Sequence, residues 1–203
     1  MQKLAPGPRC IRPEDFRSSH RLFGQATRGR RPGILLITCC DLEVDSGSLF
    51  PTNLEGPCVL QALCNIVPAH DPQRADGPSR VEQALELYPL TDLVVCGHSP
   101  CGAIRHLLSL DEGRPMPSVD SWLAHAARTR RIIAEHYPEL GGEPLQAAAA
   151  AENVIVQLEN LRTIPAVAQG LDRGKLHLHG WVYNDGMISV YAPDRKAFLP
   201  IAQ

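Results

Sequence analysis

The chain has 203 residues, seven cysteines and a formal net charge of −2 at pH 7. This near-neutral balance gives no electrostatic reason to expect nucleic acid or an anionic membrane surface as a partner. No apolar run is long enough to cross a bilayer, and the first residues lack the apolar segment of a signal peptide, so we expect a cytoplasmic protein. An odd number of cysteines without a secretion signal argues against a disulfide framework and favours metal ligation, catalysis or simple burial.

The first 33 residues differ in character from the rest of the chain. They are rich in arginine and proline, and Phe16, Leu22 and Phe23 are the obvious apolar anchors among them. We expect residues 1–33 to form an N-terminal helical arm that packs on another surface, and residues 34–203 to form a single α/β domain.

Two continuous apolar runs, ILLIT at residues 34–38 and DLVVC at residues 92–96, are typical of strands that are covered on both faces of a sheet. Between them, PCVLQALCNIV at residues 57–67 has helical spacing with proline at its start, which predicts a helix. Another helix is predicted over residues 79–88, where a serine and a glutamate three places later form a capping-box pattern.

In the second half of the chain, apolar spacing predicts helices over residues 103–110, 118–137 and 144–164. Residues 175–192 form the clearest hairpin, because two alternating strands flank an Asn-Asp-Gly turn. Strands that alternate with helices predict an α/β fold with a central, mostly parallel β-sheet flanked by helices and an antiparallel hairpin near the C-terminus.

The two buried strands are followed by side chains that bind metals. Cys39 and Asp41 follow the first strand, and His98 and Cys101 follow the second. In an open α/β sheet, ligands bind outside the carboxyl ends of the parallel strands, so these side chains converge if the two strands are neighbours. Two thiolates, one imidazole and one carboxylate or water form a tetrahedral zinc set.

The His-x-x-Cys loop contains glycines that give its backbone room, Gly97 before the histidine and Gly102 after the cysteine. The spacing on its own leaves both zinc binding and plain burial open. A further cysteine, Cys39, follows the other strand, and this favours the metal interpretation.

The loop VCGHSPCGAI at residues 95–104 resembles the CGHxxCG motif of the β-carbonic anhydrases. CCDLE at residues 39–43 matches the family's C-x-D-x-R motif at its cysteine and aspartate. The segments at residues 121–122, 151–165 and 176–191 are also similar to the family, the last two to its closing helix and hairpin. The resemblance therefore covers most of the chain.

This resemblance implies a zinc enzyme. Cys39, His98 and Cys101 would hold Zn²⁺, and a zinc-bound hydroxide would attack carbon dioxide to give bicarbonate. Asp41 would lie beside that hydroxide, accept its hydrogen bond and help to pass the proton onward. The family also implies a homodimer or a dimer-based tetramer.

Glu43 stands where the family has an arginine, two places after the aspartate. In the family that arginine forms a paired hydrogen bond with the aspartate and holds it off the metal. An acidic side chain would instead repel Asp41. Asp41 then becomes the fourth zinc ligand, or an arginine from elsewhere takes the missing place, or the site acts on a related linear substrate. Arg105 on the following helix is one such arginine, and a partner subunit could supply another.

Three functions therefore stay open. The first is the reversible hydration of carbon dioxide by a zinc lyase. The second is hydrolysis of carbonyl sulfide or carbon disulfide at the same zinc. The third is a catalytically impaired zinc-binding homologue with a structural or regulatory role, in which Asp41 caps the metal.

Other cysteines and histidines receive simpler interpretations. We expect Cys40 to pack against neighbouring residues and His177 and His179 to share a strand face at a subunit contact. Three further cysteines lie in apolar runs and are expected to be buried: Cys58, Cys64 and Cys96.

Overall fold

The computed structural model of the chain describes residues 2–7, 9–17, 33–42, 49, 57–73, 79–110 and 114–201. Its described residues form one seven-stranded sheet in the order β1-β7-β6-β5-β4-β2-β3. The strands are β1 Gln2–Lys3, β2 Ile34–Thr38, β3 Cys58–Gln61, β4 Asp92–Ser99, β5 His177–Asn184, β6 Met187–Ala192 and β7 Ala197–Pro200.

The centre of the sheet is parallel. Strand β2 lies between β3 and β4, and β4 pairs in turn with β5, all in parallel register. All five residues of β2 are buried, as are the first seven of β4, which explains their unbroken apolar runs. The predicted central, mostly parallel sheet is confirmed.

The far half of the sheet is antiparallel. Strands β5, β6, β7 and β1 pair in succession, and the β5–β6 connection is the predicted Asn-Asp-Gly turn. Asp185 and Gly186 have φ angles of 45° and 79°, so both adopt the left-handed conformation that a type I′ turn requires. The predicted hairpin is therefore confirmed.

Six α-helices flank the sheet within the described residues. They are α1 Arg80–Leu87, α2 Gly102–Leu108, α3 Pro117–Leu123, α4 Ala127–His136, α5 Gly142–Thr163 and α6 Pro165–Asp172. Ser79 caps α1 and forms the predicted capping box with Glu82. Within these described segments, no helix is long and apolar enough to cross a membrane.

Helix α5 runs across β4 and β5 and is buried over most of its length. Its run of small residues lets the helix lie very close to the sheet. A Cβ atom on Gly97 would fall 2.8 Å from Val154 Cγ2 and 3.3 Å from the backbone oxygen of Ala150. The glycine before His98 is therefore required because α5 occupies the space that a side chain would need.

Two predicted helices differ from the structure. Residues 57–67 are not a helix: they form strand β3 and a 3-10 turn at Leu63–Asn65. Pairing of this apolar segment with β2 outweighs its helical spacing, which extends over too few residues to decide between the two. The helix predicted over residues 118–137 is broken, because a 3-10 turn at Ala124–Ala126 separates α3 from α4.

The described part of the N-terminal segment packs on this same chain. Residues 2–3 pair with β7, and the backbone N–H groups of Ala5 and Cys10 donate to two buried glutamates of α5, Glu152 and Glu159. Phe16 packs against the sheet, whereas Leu22 and Phe23 lie outside the described residues. The division into an arm of residues 1–33 and a domain of residues 34–203 stays a prediction.

Candidate metal centre

The carboxyl ends of β2 and β4 bring the predicted ligands together. The two strands are parallel neighbours in which Thr38 pairs with Cys96. Cys39 therefore follows β2 directly beside the point where β4 continues to His98. Cys101 comes next, as the N-cap residue of α2. The expected convergence at one edge of the sheet follows from this register.

The potential ligand atoms of Cys39, His98 and Cys101 all lie within 4.8 Å of one another. The two sulfurs are 3.9 Å apart, and all three residues are buried. His98 Nε2 is buried without a hydrogen-bond partner among the described residues. Since a buried polar atom is normally paired, this nitrogen and the two sulfurs fit a metal ion. Thiolate sulfur and imidazole nitrogen are the ligands that zinc prefers.

The electrostatics of the cluster differ between its two thiols. The hydrogen bond with Cys101 lowers the pKa of Cys39 and outweighs the burial that would raise it. His98 and two backbone N–H groups lower the Cys39 pKa further. The same hydrogen bond, together with burial, raises the pKa of Cys101. One sulfur is thus prepared as a thiolate, and metal binding would release the proton of the other.

Asp41 lies at the rim of this cluster and is exposed. Its Oδ2 accepts a hydrogen bond of 2.5 Å from the backbone N–H of Gly102, the first residue of α2. A Cβ atom on Gly102 would lie 3.0 Å from Asp41 Oδ2 and 3.8 Å from Nη2 of Arg105. The Asp41 carboxylate and the exposed Arg105 guanidinium therefore both lie near Gly102, on the side where another residue would carry its side chain.

A feature that the sequence did not reveal is the loop after β3. The backbone N–H of Cys64 donates to Cys39 Sγ at 3.2 Å, and that of Asp41 donates to the same sulfur at 3.4 Å. Cys64 and Asn65 have φ angles of 61° and 44°, which are unusual for residues other than glycine. The helix predicted over this segment concealed the loop, and no periodicity in the sequence indicates it.

The remaining cysteines are placed as follows. Cys64 and Cys96 are buried as predicted, and burial raises the pKa of Cys96 to about 12. Cys58 is half-buried. The packing role predicted for Cys40 is wrong, because its side chain is exposed. The chain turns after Cys39, with Leu42 N–H donating to the Cys39 carbonyl, so the strand alternation behind that prediction ends there.

Two other expectations bear on the site and its surroundings. Glu43 lies outside the described residues. His179 does not face a subunit contact, because it is buried within this chain, where its Nε2 lies 2.9 Å from Asp92 Oδ1. His177, at the start of the same strand, is half-buried.

An α/β sheet with parallel central strands and a buried Cys-His-Cys cluster at its carboxyl edge is the arrangement of a candidate metal-binding enzyme. A family model described as carbonic anhydrase matches residues 34–187. A carbonic anhydrase of Synechocystis sp. is 38% identical over 195 residues, which cover 94% of this chain and 71% of that protein. Carbonic anhydrase 1 of Escherichia coli O157:H7 is 32% identical over 204 residues, covering 100% and 93% of the two chains.

Solved structures agree with these sequence relatives. The β-carbonic anhydrase CcaA is similar with a TM-score of 0.77 and 38% identity, covering 91% of each chain. A structure of tetrameric β-carbonic anhydrases from Sordaria macrospora matches the fold with a TM-score of 0.67 at 23% identity, covering 90% of this chain and 89% of the other. The chain belongs to the β-carbonic anhydrase family of lyases. The predicted family and enzyme class are confirmed.

Proposed function

We propose that this chain catalyses the reversible hydration of carbon dioxide to bicarbonate with Zn²⁺ held by Cys39, His98 and Cys101. The observation that carries the proposal is the buried Nε2 of His98, which has no hydrogen-bond partner among the described residues and lies beside two cysteine sulfurs. Bound zinc lowers the pKa of water toward neutrality and so supplies a nucleophile for carbon dioxide near pH 7.

Asp41 is the group that handles the proton. The N–H of Gly102 fixes one carboxylate oxygen, and the exposed position of the side chain leaves the group open to solvent. A carboxylate held this way can accept a proton from the reacting water and pass it to buffer. The same hydrogen bond restrains Asp41 Oδ2 at Gly102, and Asp41 is not among the residues whose ligand atoms lie within 4.8 Å of one another.

Arg105 takes the role of the arginine that Glu43 replaces. Its Nη2 lies 3.8 Å, and Asp41 Oδ2 lies 3.0 Å, from the point that a Cβ atom on Gly102 would occupy, so both charged groups lie near this glycine. A guanidinium there would hold the carboxylate by a charge-assisted hydrogen bond. Because Arg105 is exposed, that pair would be screened by solvent and weaker than a buried one.

Rapid-mixing assays of carbon dioxide hydration on zinc-loaded protein test these roles. We expect activity in the wild type, a loss of about tenfold or more in Asp41→Asn, and a smaller loss in Arg105→Gln. Arg131→Gln removes another exposed arginine and serves as the matched control. Unchanged activity in Asp41→Asn would refute the role of the carboxylate.

Glu43→Arg separates the functions that the sequence left open. If the wild type is slow and Glu43→Arg is fast, the chain is a catalytically impaired zinc-binding homologue. If neither form hydrates carbon dioxide, the proposed reaction is wrong. Carbonyl sulfide and carbon disulfide are then the substrates to assay at the same site.

The active unit is a homodimer or a dimer-based tetramer. Support comes from the tetrameric β-carbonic anhydrases of Sordaria macrospora, which share this fold. An open groove of about 1160 Å³, lined in part by Leu60, Leu63, Ile66 and Trp122, is one surface that a second copy could cover. Sedimentation analysis should give a mass of two or four chains, and a monomer at micromolar concentration would contradict the proposal.

A further inference from the structure

The metal ligand Cys39 depends on a peptide group that is distant in sequence. Its sulfur accepts hydrogen bonds from the N–H of Asp41, two residues away, and from the N–H of Cys64, 25 residues away. Such bonds fix the direction of a thiolate and reduce the charge that it donates to a metal. The position of the Cys64 peptide therefore sets how Cys39 binds.

The backbone of Cys64 is held in an unfavourable conformation. Cys64 has φ 61° and ψ 27°, and Asn65 follows with φ 44°, so two successive non-glycine residues are left-handed. Residues of this kind persist only where the surrounding structure over-determines them. Because Cys64 is fully buried, its backbone must find its hydrogen-bond partners within the protein and not in water.

Asn153 of α5 supplies that support. Its Nδ2 donates to the carbonyl oxygen of Cys64 at 2.8 Å. Its Oδ1 accepts from Thr129 Oγ1 and from Gln157 Nε2, each at 2.9 Å, so the amide can turn only its NH₂ group toward the loop. The orientation of this fully buried side chain is thereby fixed.

The same face of α5 also holds the other end of the loop. Gln157 Oε1 accepts from Val67 N–H at 2.9 Å, and Asn160 Nδ2 donates to Val67 carbonyl oxygen at 2.8 Å. Residues 153, 157 and 160 share one helix face by their spacing. Of these amides, the one at position 153 contacts the residue whose N–H reaches Cys39.

We infer that Asn153 is a positioning residue for the metal site. By holding the Cys64 carbonyl it fixes the backbone conformation of Cys64, whose N–H donates to Cys39. The inference rests on the proposed zinc site but not on the reaction catalysed there. The alternative is that the amide row only satisfies buried backbone groups and stabilises the fold. Asn160 provides the comparison, since it donates an equivalent bond to the same loop without touching the Cys64 peptide.

The test compares Asn153→Ala and the isosteric Asn153→Asp with the control Asn160→Ala. Zinc affinity is measured by competition with a chelator, and the sulfur-to-metal absorption bands are measured on Co²⁺-loaded protein. We expect both Asn153 variants to bind zinc about 10–100-fold more weakly and to shift the bands. The control variant Asn160→Ala should stay within about twofold of the wild type and keep its bands, because it leaves the Asn153–Cys64 bond in place.

A rescue variant distinguishes positioning from fold stability. Glycine adopts the left-handed conformation without strain, so Cys64→Gly should hold the loop without help from Asn153. We expect the double variant Cys64→Gly/Asn153→Ala to recover zinc affinity and the wild-type cobalt bands.

Several results would overturn the inference. Folded Asn153 variants with wild-type affinity and bands would do so, as would a folded double variant that fails to bind. If all three variants with a substitution at Asn153 fail to fold, the residue has a role in fold stability alone. If the wild type itself holds no zinc, the proposed function fails first, and that outcome is distinct from the others.

Discussion

Gly102→Ala is the substitution that tests the arrangement of Asp41 most sharply. The glycine N–H holds the Asp41 carboxylate at 2.5 Å, and an added methyl carbon would lie 3.0 Å from the same oxygen. The crowded atom is the end of a side chain, so the carboxylate can move away by a few tenths of an ångström. The expected effect is a displaced Asp41 in an otherwise intact protein.

The magnitude follows from the bond that is disturbed. A hydrogen bond to a charged group contributes about 1.5–3 kcal/mol, and the exposure of Asp41 places this one at the lower end. Since about 1.4 kcal/mol corresponds to a factor of ten in rate, we expect kcat/KM to fall about tenfold. Replacing glycine by alanine at an unstrained position stabilises a chain by about 0.4–1 kcal/mol, so the free energy of unfolding should stay the same or rise.

The assay is carbon dioxide hydration by rapid mixing, with urea unfolding measured on the same samples. Gly141→Ala is the matched control, because no atom in the described part of the chain lies within 4 Å of the methyl group that it would add. It should retain wild-type activity. A folded Gly102→Ala protein with full activity would refute the role given to the Asp41 carboxylate, and an equal loss in Gly141→Ala would remove the specificity of the effect.

Three further predictions concern stability and metal binding. Gly97→Ala would press a methyl group against Val154 and should lower the free energy of unfolding by about 1–3 kcal/mol in urea titrations; wild-type stability would show that α5 can move away. Burial acts to raise the pKa of Asp92, but hydrogen bonds from His179 and Thr91 outweigh it and lower that pKa in the folded state. A lowered folded-state pKa gives stability that is present above the unfolded value of about 3.9 and is lost as pH falls through the folded value. His179→Leu should therefore lose more stability at pH 7 than at pH 3, and urea titrations showing the same loss at both values would count against the pair. Removal of zinc by a chelator should lower the melting temperature of the wild type, because a metal that binds only the folded state stabilises it. Cys101→Ser should show no such chelator effect, and an identical drop in that variant would contradict ligation by Cys101.

The sequence predicted most reliably the features that depend on a single strand or turn and on the residues directly after it. ILLIT and DLVVC are apolar on both faces, so their assignment as central parallel strands needed no long-range information. The ligand residues that follow them converge because parallel strands end at the same edge. The Asn-Asp-Gly sequence favours the positive φ angles of a tight hairpin turn, so the hairpin was placed correctly.

The errors arise where distant contacts decide the structure. The segment 57–67 is a strand because β2 offers it a parallel partner, which the segment itself cannot indicate. The loop at Cys64 depends on a left-handed backbone and on a hydrogen bond from Asn153, 89 residues further along the chain. The exposure of Cys40 follows from the turn after Cys39, where the alternation of strand side chains no longer applies.

We propose that Cys39, His98 and Cys101 hold a zinc ion on which carbon dioxide hydration depends. The decisive experiment is a titration of metal-free protein with Zn²⁺ while the hydration rate is recorded. We predict a rate that rises with added zinc and levels off at about one equivalent per chain, with no rise in Cys101→Ser. Full activity without zinc, or zinc uptake with no hydration at any loading, would contradict the claim.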